Sequence, residues 1–198
     1  ALPMPFAAVH LLFINLLTDS LPAIAIGMEE SNRDLLKDKP RSKNESILNK
    51  NFLFGLGLEG LLIGMFTIIA FYAGNPMKTP LTASTMAFAT LCLARLFHGF
   101  NCRGKGSIFK LGVFSNKYVW YAFGIGLVLL NAVLFVPFLQ GLFEVENLML
   151  SQYVTIYILA FIPTLIIQFI KIINEVIENR KVKKNPSGKF ENNLKNIA

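Results

Sequence analysis

Charge is scarce in this chain: 16% of its 198 residues are Asp, Glu, Lys or Arg, where an ordinary soluble domain carries about 25%. Cysteine is scarcer still. Cys92 and Cys102 are the only two, which excludes a disulfide framework and leaves both to be read as reduced thiols. Internal repeats of useful length are missing too, and with 54% of residues hydrophobic, Phe alone supplying 18 residues, general disorder is excluded. No basic segment followed by a cleavage site opens the chain, so no signal peptide is expected. With Ala1 in place of an initiator Met, the sequence reads as one cut out of a longer protein.

What is present is apolar length. Four windows, 52–72, 81–100, 118–139 and 148–170, are each long enough to cross a bilayer, and their only charges are Glu59 and Arg95. A fifth apolar stretch, 2–28, is interrupted by Asn15, Thr18, Asp19, Ser20 and Pro22. A single soluble core of this length has no room for five such segments, so a soluble enzyme is excluded. The fold class expected is all-α, a polytopic membrane helix bundle of five transmembrane helices in contact with membrane lipids.

The basic residues give the expected orientation. Six lie between the first and second spans, four follow the third and seven follow the fifth, which puts 17 of the 19 on one side if the spans alternate. Of the other two, Lys78 falls on the opposite side and Arg95 within a span. Lys and Arg are retained on the cytoplasmic side, so the N-terminus is expected outside and the C-terminus in the cytoplasm. The net charge of +7 is thereby accounted for by topology, and no nucleic-acid partner is expected. The divisions expected are a first span with the polar residues (1–28), a basic cytoplasmic loop (29–51), a four-helix support (52–173) and a polar cytoplasmic tail (174–198), disordered from Arg180 on. Tyr118, Trp120 and Tyr121 at one span end and Tyr72 at another read as an interfacial aromatic belt. Gly60 and Gly64 form a G-x-x-x-G that allows a neighbouring helix to approach closely.

Asp19 carries the chemistry. A carboxylate in an apolar span costs several kcal/mol unless it is partnered, so intramembrane acids mark functional sites by default. Asn15 and Asp19 are spaced i, i+4 and Thr18 is i+3 from Asn15, which puts three oxygen-bearing side chains on one face of an α-helix. Pro22 has no N–H to give the Thr18 carbonyl, so a broken helix is expected here, with spare backbone oxygens. Such an oxygen cluster suits a hard cation. The alternative is a polar cluster that joins helices, with Asp19 protonated or paired with Arg95.

The segment LLFINLLTDSLPAIAIGMEESNRDLLKDKPR resembles the sixth membrane helix and following loop of the P-type calcium pumps, whose pattern is N-x-x-T-D-G-x-P-A followed by a D-x-P-R-like loop. Asn15, Thr18, Asp19, Pro22, Ala23, Asp38, Pro40 and Arg41 match in order. A second stretch, LARLFHGFNCRGKGSIFKLGVFSNKYVW, resembles the eighth helix and next loop of bacterial members. The resemblance runs to about residue 173, as helices six to ten of a ten-helix pump.

The resemblance implies a segment of an ATP-driven pump in the bacterial plasma membrane, with calcium as the transported ion and Asn15, Thr18 and Asp19 among its ligands. It implies a partner as well: the N-terminal remainder of the pump, with its phosphorylation domain and its ATP and magnesium. No D-K-T-G phosphorylation motif or nucleotide-binding domain occurs in this sequence, so no catalytic or cofactor-binding residue is assigned in it. Two positions depart from the pattern. Ser20 replaces a Gly, which throws more of the expected break onto Pro22, and Arg95 stands where two-site pumps offer a Glu. A guanidinium cannot ligate calcium. Arg95 is expected either to fill that ligand position or to snorkel to the interface, and His98, on the same face, to be a packed imidazole or a proton shuttle. Glu59 is expected to pair with Arg95 or face a partner helix. The rivals are a pump for another cation, and a helical scaffold or channel subunit.

Overall fold

A computed structural model of the protein describes residues 3–29, 50–104 and 106–184. Every regular element among them is helical: α1 (Ala8–Phe13), a π turn (Ile14–Asp19), α2 (Ser20–Gly27), α3 (Lys50–Ala73), α4 (Pro80–Asn101), α5 (Ile108–Leu111), α6 (Lys117–Phe135), α7 (Pro137–Phe143) and α8 (Leu150–Lys184). Five stretches are long and apolar enough to cross a membrane: Ala8–Gly27, α3, α4, α6 and the first 28 residues of α8. The all-α membrane bundle expected from the sequence is therefore what forms.

The spans are apolar all round, because lipid and protein interior are equally apolar neighbours. Packing is decided by small and polar residues instead. α4 is the most buried span and the axis of the bundle, with α3, α6 and α8 laid against it. It buries Ala83, Ala87, Ala89 and Ala94 together with Phe88, Met86 and Leu93. Two glycines permit the closest approaches. A Cβ on Gly126 of α6 would lie 2.5 Å from Leu96 Cδ2, and one on Gly74 would lie 2.4 Å from the Ala83 Cα.

Contacts between span ends divide the molecule into two ends. At one, Arg103 meets Glu29, Asn116 meets the Ala25 carbonyl and Lys171 meets the Asn101 carbonyl. At the other, Ser84 donates to the Pro5 carbonyl and Thr82 to Glu146. Lys110 and Lys117 belong to the first end and Lys78 to the second.

Two sequence expectations change. The fourth span stops at Phe135 instead of 139: Val136 precedes Pro137, which disfavours helical angles there, and it is extended at φ −86°, ψ 116°. The disorder expected from Arg180 does not begin there, because α8 runs on to Lys184; beyond that the tail lies outside the described residues. The basic loop expected over 29–51, including Asp38, Pro40 and Arg41, also lies outside them apart from Glu29 and the start of α3.

Candidate functional site

The first span does not break at Pro22. Its helix widens for the six residues Ile14–Asp19 and then resumes as α2, with Pro22 buried in the first turn. A π turn bonds i to i+5 and so holds one more residue than an α turn, a feature frequent at functional sites. Proline is tolerated in the first turn of the resumed helix, where its missing N–H costs least. Side chains occupy the displaced carbonyls: Thr18 Oγ1 donates to the Ile14 oxygen at 2.7 Å and Ser20 Oγ to the Asn15 oxygen at 3.2 Å. The Ser20 hydroxyl thus closes the turn from outside.

The wider turn also corrects the single-face expectation. With more residues per turn, Asn15 and Thr18 spread around the axis. Thr18 is buried, Asp19 half-buried, and Asn15 exposed on the outer surface. Thr18, Asp19 and Pro22 line one cavity of about 550 Å³, also bordered by Glu59, Arg95 and His98, and Asn15 does not.

Inside that cavity the polar side chains are paired. Arg95 Nη1 donates to Asp19 Oδ2 in a direct salt bridge, so Arg95 points into the cavity and does not snorkel. Glu59 pairs with His98, its Oε2 3.4 Å from His98 Nε2, and not with Arg95. The imidazole belongs to a chain of donors crossing three helices. Gln168 Nε2 of α8 donates to Asn101 Oδ1, and Asn101 Nδ2 lies 3.5 Å from His98 Nδ1, leaving Nε2 to carry the proton toward Glu59. Cys102, on the cavity border, is a free thiol whose pKa is pushed up by desolvation and then by the nearby Glu59 charge. Among the described residues no three His, Cys, Asp or Glu side chains cluster as a metal site.

Two attachments of the first span had no signature in the sequence. His10 is fully buried, accepts the Ala7 N–H at Nδ1, donates from Nε2 to the Phe143 carbonyl at 2.7 Å, and stacks on Phe88 at 4.3 Å. At the other end Arg103, its side chain wholly buried, forks onto Glu29 with Nε at 3.0 Å and Nη2 at 2.6 Å, and donates to the Gly112 oxygen and Ser115 Oγ. Asn116 Nδ2 adds bonds to Glu29 Oε2 at 2.6 Å and the Ala25 oxygen at 3.0 Å. Arg103's bonds hold the Glu29 carboxyl below the usual carboxylate range against its own desolvation, and Asn116 helps. Sequence reading counted Arg103 only as a topology charge; its pairing with a residue 74 positions away leaves no local pattern.

Comparison with known proteins adds an independent observation. The family described as cation transporting ATPase, C-terminus, matches residues 3–173. A calcium-transporting ATPase of Bacillus subtilis is 36% identical over 170 residues, covering 84% of this chain and 19% of its own length. One from Listeria monocytogenes is 43% identical over 146 residues, covering 73% and 16%. Calcium-transporting ATPase 1 of Bacillus cereus is 34% identical over 186 residues, covering 85% and 21%. The chain spans about a fifth of the length of the relatives it matches.

Proposed function

Since the chain belongs to the family of cation-transporting ATPase C-terminal regions, we propose that it is the C-terminal membrane segment of a P-type calcium pump. In this reading it supplies part of the ion site and the helices that anchor it. The observation that carries the reading is Asp19: a carboxylate at a widened turn in the middle of a span, opening into a cavity beside Thr18 and Arg95. Calcium takes 6 to 8 oxygen ligands, and this chain offers the Asp19 carboxylate, the Thr18 hydroxyl and the Asn15 amide oxygen. The remainder come from the N-terminal part of the pump, packed against the open side of the cavity, which Gly60 and Gly64 border. That part also holds the phosphorylation domain with its ATP and magnesium. The end bearing Arg103, Lys110 and Lys117 faces the cytoplasm, and the pump works in the bacterial plasma membrane.

In the full-length protein, Asp19→Asn is expected to abolish calcium-dependent ATP hydrolysis, since it removes the only charge this span brings to a divalent ion. Hydrolysis and transport at wild-type rates would place the ion site elsewhere. The Asp19–Arg95 bridge favours one second reading, a helical scaffold in which the pair is structural. That reading expects Asp19→Asn to lower thermal stability and leave transport intact.

A further inference from the structure

The first span is fixed to the rest of the chain at both ends, and the π turn lies between the fixings. On one side, His10 bonds to the Phe143 carbonyl at the end of α7. On the other, Glu29 and the Ala25 carbonyl are gripped by Arg103 and Asn116 from the segment that joins α4 to α6. From Glu29 to Asp19 is ten residues, about 15 Å of largely helical chain at 1.5 Å per residue. α2 is unbroken across Pro22, so the height of Glu29 is transmitted to Asp19. We propose that Arg103 and Asn116 are positioning residues for the cation site: by clamping Glu29 they set the height of Asp19 and Thr18 and hold the intervening turn in its widened form, and so set cation affinity.

Four features make the clasp suited to that work. The Arg103 fork is bidentate, which fixes direction as well as distance, and Lys cannot reproduce it. Its side chain is excluded from water, and Gly112 and Ser115 take its other donors, so it cannot swing away without leaving a buried charge unpaired. Gly112, at φ +87°, turns its carbonyl toward the guanidinium in a conformation L side chains rarely adopt. Asn116 gives two bonds to the first span while its Oδ1 caps α6 at the Tyr118 and Val119 N–H groups, which ties the first span to a second transmembrane helix.

The inference rests on the cation-site reading above, and the test separates the two. In the full-length protein, ATP hydrolysis is measured against free calcium for Arg103→Gln, Arg103→Lys, Asn116→Ala and Asp19→Asn. Expected for Arg103→Gln is about a tenfold rise in half-saturating calcium, with turnover at saturation within about twofold of wild type. Arg103→Lys and Asn116→Ala, which keep some of the bonds, fall in between. Asn116→Ala decides the matter if Arg103→Gln does not fold. Unchanged calcium dependence in the folded variants, or equal loss of turnover and affinity, overturns the positioning role. If Asp19→Asn also hydrolyses ATP normally in response to calcium, the cation-site reading itself fails.

Discussion

A carboxylate inside a bilayer can be stabilised by a metal ion or by a guanidinium, and Asp19 has the second at hand in Arg95. That decides what the site can hold. At ~4 Å and intermediate screening a unit charge acts on another with about 4 kcal/mol, and on a divalent ion with roughly twice that, so a fixed Arg95 excludes a calcium ion from its own position. One calcium per full-length molecule is therefore expected, measured as radioactive calcium bound at saturation. Arg95→Glu, which puts a carboxylate in place of the cation, is expected to move the value toward two. At this scale the sequence was informative where a residue was out of place: Asp19 and Arg95 stood out as lone charges in apolar runs. It was silent on His10, Arg103 and Asn116, whose types are ordinary near span ends and whose partners lie far away in the chain. The single-face placement of Asn15 with Thr18 failed because it assumed 3.6 residues per turn, and a π turn demands no particular residue type.

Elements were legible through their length and apolarity, but their interruptions were not legible through proline. Pro137 ends α6 inside a window expected to run to 139, whereas Pro22, expected to break the first span, sits in the first turn of the resumed helix. Close packing was not legible, since glycines that touch and glycines that do not look alike in sequence. Gly74→Ala places a Cβ 2.4 Å from the Ala83 backbone and is expected to destabilise the chain by ~1–3 kcal/mol in thermal unfolding in detergent. Gly60→Ala and Gly64→Ala meet nothing within 4 Å and are expected to fall within about 0.5 kcal/mol; a larger effect confined to the full-length protein would report a neighbouring helix on that face. The clasp joining α2 to α6 carries a pH signature. Glu29 titrates below its ordinary value of 4.5 in the folded chain. The stabilisation this confers is complete above 4.5 and is lost as pH falls through the lower folded value. Unfolding followed from pH 7 down to 3 should show a decline confined to the acid end, reduced in Glu29→Gln.

For the whole molecule, the charge asymmetry of the sequence gives an orientation that labelling can test. In full-length protein lacking Cys92 and Cys102, an impermeant thiol reagent applied to intact cells is expected to reach single cysteines at Asn75 and Glu144 and to miss one at Lys110. Labelling at Lys110 from outside would invert the bundle. The length of α8 bears on the same question. Its 35 residues extend about 52 Å, and a hydrocarbon core is only about 30 Å thick, so the helix rises well clear of the bilayer as a mast. Two stays brace it near the surface: Lys171 to the Asn101 and Gly104 carbonyls, and Glu175 to Ser107. Nine residues of helix, about 13 Å, rise above the upper stay. A small lean of α8 within the membrane is magnified at that tip as by a lever, so a spin label at Asn179, paired with one at Ser115, would register tilts too small to resolve among the buried side chains.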